Sequence, residues 1–315
     1  MNFLTYTIIS HLIPSKKNRE HFKKKHHPKN NITLKKLHKK IEDLENIIQL
    51  YNLYEIDVTK FPKAKGPLRI LQEADALFLK EIATIFDKYQ LKYTLFAGTL
   101  LGAYRHKGFI PWDDDIDLMM LREDYNKVQS IIQKEFENHP YISTIKGDCI
   151  RIYYKDTPLQ IDVFPLDIYP SYLKTEEDKK AFKQKWQLLH KKIHYDWTKL
   201  PSQSPLLNSF NEVEALSSEL LKTDKETPQK SLVYGIEMSS KSPAIFDYDW
   251  VFPSQKIEFE SNFFEGGNLP EALLYEQFGE YMDIPKDIHR HQDISSRFSS
   301  SAIATCLNII KQGKI

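Results

Sequence analysis

YTLFAGTLLGAYRHKGFIPWDDDIDLMM, residues Tyr93 to Met120, is the stretch on which the fold turns. Tyr93, Thr94, Leu95 and Phe96 have strand character, Gly98-Thr99 opens a short Leu-rich helical turn, and the run ends in Asp113, Asp114, Asp115 and Asp117. Residues two apart on a strand share a face, so Asp115 and Asp117 are predicted to aim at one spot while Ile116 and Leu118 face the core. Two like charges held that close call for a cation between them, and hard divalent ions take such oxygen ligands and share them with substrate phosphates. The glycine turn supplies a complementary element. A glycine and a small hydroxyl residue at a strand-to-helix turn let a phosphate approach free backbone N–H groups at a helix N-terminus. Separately, each signal also fits a plain turn or a solvated acidic loop. On adjacent elements of one short unit they describe a cradle for a diphosphate and its metal.

Working outward, Arg151 to Tyr169 (RIYYKDTPLQIDVFPLDIY) reads as a hairpin turning at Asp156-Thr157-Pro158, with its second strand from Leu159 to Phe164. Asp162 faces opposite to Ile161 and Val163. A carboxylate among apolar neighbours is costly unless it is paired or bound to metal. Arg151 or Lys155 offers the salt bridge; Asp115 and Asp117 offer a shared ion. Apolar positions at Leu68, Leu71, Ala74, Phe78, Ile82, Ile85 and Phe86 predict a core-facing helix over 68–89, and Glu123 to Phe136 a second. Strand, helix, strand and further strands make an α+β domain, a small mixed sheet with flanking helices. Residues 174–222 read as helical, with Trp186, Leu189, Ile193 and Trp197 as core. Tyr248 to Phe264 is predicted as a strand pair turning at Pro253-Ser254, and Asn268-Leu269-Pro270 opens a helix reaching Phe278. Arg69 is expected to be an exposed helix arginine.

The chain has 315 residues and a formal net charge of +1, but eleven Lys/Arg against one acid fall between Lys16 and Lys40. The body is therefore acidic and the N-terminal arm basic. Two cysteines, Cys149 and Cys306, build no disulfide framework and no C-x-x-C metal motif. Residues 3–13 hold an apolar run with no basic residue before it and no small-residue cleavage site after it, too short to span a bilayer. Beside the clustered lysines, that face suits either the anionic inner surface of a membrane or the protein's own body. No aromatic stacking pattern accompanies the basic arm, which argues against nucleic acid. Leu34, Leu37, Ile41, Leu44, Ile48 and Tyr51 follow a heptad seam, which predicts a short coiled coil and a homo-oligomer, or an amphipathic helix on the domain. The organisation expected is an arm and coiled coil over 1–53, a catalytic domain over 54–292 and a tail over 293–315.

GTLLGAYRHKGFIPWDDDID, with Arg122-Glu123-Asp124-Tyr125 after it and then IDVFPLD, resembles the LicD family of phosphotransferases, whose eukaryotic relatives include the fukutin-related proteins. The likeness extends upstream to Lys65-Gly66-Pro67-Leu68-Arg69 with Gln72, and downstream to LYEQFGEYMDIP, so it covers about residues 60 to 290. Two positions depart from the family pattern: Tyr104 replaces a small aliphatic and Phe278 a Tyr. The resemblance implies a nucleotidyltransferase-like fold. It also implies transfer of a phospho-alcohol such as phosphocholine from a CDP-linked donor onto a glycan acceptor, in the cytoplasm at the inner face of a bacterial membrane. His289 and His291 are substrate-contacting candidates through the resemblance alone.

On this reading Asp115, Asp117 and Asp162 hold Mg²⁺, or Mn²⁺, and the Gly98-Thr99 backbone supports the donor phosphates. Asp162 takes the proton of the sugar hydroxyl. Arg105 and Lys107 neutralise diphosphate charge, and Trp112 stacks on a base, on a choline ammonium group or in the core. The same acids also serve nucleotidyl transfer. A calcium-binding scaffold fits poorly, because Leu118 stands where a calcium loop needs glycine and Asp124 where it needs Glu.

Overall fold

The computed structural model describes residues 39–43, 45–46, 57–196, 206–283, 299–313 and 315. The chain divides into two units, Met1–Asp57 and Val58–Ile315. In the first, residues 39–43 and 45–46 are helical with exposed side chains, Ile41 among them. The apolar run over 3–13, the basic run up to residue 38 and most of the heptad seam lie outside the described residues.

The second unit opens with a 3-10 turn at Val58–Lys60 and then helix α1 (Pro67–Lys88), whose buried face, Leu71, Ala74, Phe78, Leu79, Ile82 and Phe86, follows the helical period read from the sequence. Proline at its first turn fits a position where a missing N–H costs nothing. Strand β1 (Tyr93–Leu95) follows, then helix α2 (Ala97–His106) and strand β2 (Ile116–Leu121), which returns antiparallel to β1. Helix α3 (Arg122–Glu135) leads to β3 (Ile142–Lys146), β4 (Ile150–Tyr154) and the ten-residue β5 (Gln160–Tyr169). Beyond β5 come α4 (Glu176–His190), α5 (Phe210–Leu221), β6 (Ser231–Tyr234) and β7 (Ile245–Asp247). A short helix α6 (Tyr248–Val251), a hairpin of β8 (Gln255–Phe259) and β9 (Asn262–Gly266), helix α7 (Pro270–Phe278) and helix α8 (Ser300–Gln312) complete the described chain.

The main sheet is mixed, in the order β1-β2-β5-β4-β3, with β6 and β7 added to the far part of β5. Strand β5 organises it. One edge pairs parallel with β2 from Ile161 to Leu166; the other pairs antiparallel with β4 over Gln160 to Val163 and with β6 over Leu166 to Tyr169. Ile116, Leu118, Ile150, Ile152, Ile161 and Val163 are all buried in the principal core, while Trp186, Leu189, Val213, Leu220 and Val233 belong to a second core.

The α+β expectation holds, with local differences. The β8–β9 turn lies at Glu260-Ser261, not at Pro253-Ser254, because Pro253 and Ser254 precede the ladder and Phe259 pairs with Asn262. The 293–315 segment contains α8, which packs on α1 and buries Cys306 and Ile309. Strands β3, β6 and β7 carry no alternation strong enough to have announced themselves. Among the described residues no helix is long and apolar enough to cross a membrane.

Candidate active site

The register of the sheet assembles the acids. Asp117 on β2 lies directly opposite Asp162 on β5, and Asp162 opposite Arg151 on β4. Adjacent strands run about 4.8 Å apart. Asp117, Asp162 and Arg151 therefore form one row across three strands, on one face of the sheet. Arg151 grips Asp162 through both oxygens, Nε to Oδ1 at 2.6 Å and Nη2 to Oδ2 at 2.5 Å. The salt bridge left open by the sequence is thus made by Arg151. Lys155 instead donates to the Pro140 carbonyl.

Asp117 is fixed through its backbone. Its N–H donates to Thr99 Oγ1 at 2.8 Å and its carbonyl accepts from Phe96 N–H at 2.9 Å, so the start of α2 locks the start of β2. The buried Thr99 hydroxyl therefore positions Asp117, a contact the sequence did not announce. Asp115 lies just before β2 instead of within it, and the strand-alternation argument does not apply to it. Its carboxylate instead clusters with Asp113 and Asp114, the three offering oxygens within 4.8 Å of one another.

Gly98 explains how that cluster approaches α2. A Cβ built there would lie 2.6 Å from Asp113 Oδ2, so only glycine leaves room for the carboxylate. The loop from Lys107 to Asp115 runs back along α2. Gly102 makes room for the Gly108 carbonyl and Ile110, and Gln72 of α1 donates to the carbonyls of Asp113 at 2.9 Å and Ile110 at 3.3 Å.

The electrostatics follow from crowding. Burial, then Asp115, Asp162 and Asp113, push the Asp117 carboxyl well above the ordinary carboxylate range, with Arg151 pulling the other way. Burial, then Asp115 and Asp114, do the same to Asp113. Two more acids join the field. Asp75, fully buried on α1, accepts from Gln160 N–H at 3.3 Å while its Oδ2 finds no partner; burial raises it, and Asp115 and Asp114 add to that. Asp148, in the β3–β4 turn, is raised by burial and then by Asp162. Asp75 was masked in sequence by the apolar face around it, and Asp148 by an unremarkable Gly-Asp turn. The converging Asp113, Asp114 and Asp115 carboxylates, with Asp117 close enough to feel Asp115 and Asp113, make an all-oxygen donor set of the kind a hard divalent cation takes.

The remaining candidates are dispersed. Arg105 and Lys107 sit at the other end of α2, Arg105 about 10 Å along the axis from Gly98. Burial lowers Arg105, whose Nη2 faces the Asp283 carbonyl at 3.4 Å. Lys107 is exposed and pairs with Glu258 at 3.3 Å. Trp112 packs on the core, edge-on to Phe61 at 6.0 Å between centroids. Tyr104 donates to Glu271 at 3.1 Å, and Phe278 is exposed. Arg69 is half-buried in an ion pair with Glu260, contrary to the exposed role expected of it. His289, His291 and Trp197 lie outside the described residues.

The LicD/FKTN/FKRP nucleotidyltransferase domain matches residues 90–195, the span that contains β1, α2, the acid run and the whole Asp117–Asp162–Arg151 row. Over that span the chain is similar to the LicD family. The lipopolysaccharide cholinephosphotransferase LicD of Haemophilus influenzae is 28% identical over 232 residues, 64% of this chain and 86% of that one. Human ribitol 5-phosphate transferase FKRP is 29% identical over 110 residues, covering 33% of this chain and 21% of its own length. Among solved structures, ANT(2")-Ia with adenylyl-2"-tobramycin is similar at 10% identity and a TM-score of 0.32, covering 75% of this chain and 95% of that chain.

Proposed function

We propose that this protein is a metal-dependent phosphotransferase of the LicD kind. It moves a phospho-alcohol, phosphocholine first among the candidates, from a CDP-linked donor onto a sugar hydroxyl of a surface glycan of lipopolysaccharide, capsule or teichoic acid type. The observation that carries this reading is Asp117 facing Asp162 across β2 and β5, with the Asp113–Asp115 carboxylates beside them and Gly98 packed against Asp113. The likeness to a cholinephosphotransferase over most of that relative's length supports the substrate class.

Asp115, Asp117 and Asp162 would hold Mg²⁺ or Mn²⁺, which supplies charge neutralisation on the diphosphate and the departing CMP. Arg151 occupies both oxygens of Asp162 and fixes the orientation of its carboxylate. Asp117 takes no side-chain hydrogen bond from the described residues and is the better acceptor for the sugar hydroxyl proton. Thr99 keeps it in place, and the Gly98 backbone lines the donor phosphates. The reaction takes place on the cytoplasmic side of the membrane that holds the acceptor.

Thermal stabilisation and product analysis with CDP-choline, CDP-glycerol, CDP-ribitol and CDP-ethanolamine in Mg²⁺ test this. One donor is expected to raise the melting temperature and release CMP in the presence of a glycan acceptor. Pyrophosphate release from a nucleoside triphosphate, with no donor bound, overturns it in favour of nucleotidyl transfer.

A further inference from the structure

We propose that Glu260, at the tip of the β8–β9 hairpin, is a positioning residue that latches the acid-bearing loop 107–115, a role that rests on the reading of Asp115 and Asp117 as site acids. Its carboxylate accepts from Arg69 Nη1 at 2.9 Å and Nη2 at 2.8 Å, from Lys63 Nζ at 2.9 Å, and from the Phe109 backbone N–H at 3.3 Å. Its own N–H donates to the Lys107 carbonyl at 2.8 Å. Gly108 carries no Cβ where one would collide with this carboxylate. The hairpin tip thus holds the loop from both sides of Gly108.

The contact continues to the acids. Arg69 Nη1 also reaches Gln72 Oε1 at 3.4 Å, which turns the other end of that amide, Nε2, onto the Asp113 carbonyl at 2.9 Å. Glu260, Arg69, Gln72 and Asp113 form one hydrogen-bonded chain from the hairpin tip to the acid run, with α1 as its rigid middle. Burial would raise the Glu260 carboxyl, but Arg69 and then Lys63 outweigh it and hold it down at about 2. The latch therefore stays charged across the working pH range.

The turn supports the same conclusion. Glu260 and Ser261 both have positive φ, 46° and 61°, in a two-residue hairpin loop. Such loops favour Asn-Gly, Asp-Gly or Gly-Gly, because other side chains are strained there. Neither glycine nor asparagine has the reach to bridge Arg69 and Phe109. A strained backbone kept for the sake of its side chain is the pattern expected of a functional constraint.

The test uses the full chain carrying E260A, E260Q and R69K. Amide exchange over 107–115 is measured against exchange over β3–β4, and steady-state turnover is measured with a CDP-linked donor. E260A is expected to lose protection in 107–115 alone. Its kcat should fall about 100-fold through misplacement of the acids, while the donor KM stays within about threefold. E260Q, which keeps an acceptor for Phe109 N–H, should fall between E260A and wild type. A folded E260A with wild-type loop exchange and kcat overturns the latch; if E260A does not fold, wild-type loop exchange in both E260Q and R69K overturns it. A wild-type protein inactive with every CDP donor, while E260Q loosens 107–115, defeats the transfer reading and leaves the latch standing.

Discussion

The two ends of the β2–β5 pair carry similar residues and hold them differently. At the near end Arg151 faces Asp162 and Asp117, with Asp113, Asp114 and Asp115 close by. At the far end, Arg122 meets Asp167 through Nε at 2.7 Å and Nη2 at 2.9 Å. It also meets Glu237 through Nη1, and through Nη2 at 2.8 Å, while Ser217 donates to Asp167. Asp162 and Asp167 belong to one strand, about 16 Å apart at ~3.3 Å per residue. Asp167 and Glu237 are almost fully buried, with their oxygens turned to the guanidinium. Such a set fastens β2, β5 and the β6 end together, with each buried carboxylate matched by the guanidinium. At the near end burial, followed by repulsion from Asp115, Asp162 and Asp113, raises Asp117, so its surroundings favour adding positive charge. The contrast separates the acids matched by a cation from those left crowded together, the ones proposed to meet the substrate.

The contrast can be broken at either end. D117A should cost about a thousandfold in turnover, roughly 4 kcal/mol of barrier, without lowering the melting temperature; full activity in a folded D117A removes the acid from the site. R122A should do the opposite, because Asp167 and Glu237 are left buried without their cation. A loss of about 3–5 kcal/mol is expected, read as a lower denaturation midpoint, with kcat per folded molecule unchanged. T99V strips the acceptor from Asp117 N–H and should cost about 1–3 kcal/mol, together with a measurable fall in kcat that an effect on stability alone would not produce.

The smallest effect is in pH dependence. Burial, followed by repulsion from Asp115 and Asp114, raises Asp75 above its unfolded value. A raised carboxyl contributes stability that is fully present below the unfolded pKa and lost as pH rises through the folded one. D75N keeps an oxygen for Gln160 N–H and removes the ionisation. It should therefore flatten the decline in melting temperature between acidic and mildly alkaline pH; an unchanged slope assigns that decline to Asp113 and Asp117.

Much of this was legible in the chain. The helical period of α1 and α3, the strand around Asp117 and the hairpin carrying Asp162 rest on local patterns of apolar residues, and those patterns survive into the structure because burial enforces them. Proline and serine are the commoner turn residues and draw the expectation to Pro253-Ser254, whereas the Glu-Ser turn of β8–β9 is explained by what Glu260 touches. Nearness in sequence groups Arg105 and Lys107 with the acids, but α2 carries them to the end opposite Gly98.

By itself the sequence determined the composition of the candidate site: a glycine turn, a run of aspartates and a third acid on a second strand, each recognisable from residue type and spacing. Only the tertiary structure decided the register that sets Asp117 against Asp162, the choice of Arg151 as partner, and the bond from Thr99 to Asp117. It also decided the latch from Glu260 to loop 107–115. Those contacts join residues far apart in the chain, and no local pattern encodes which distant side chain will meet a given backbone group.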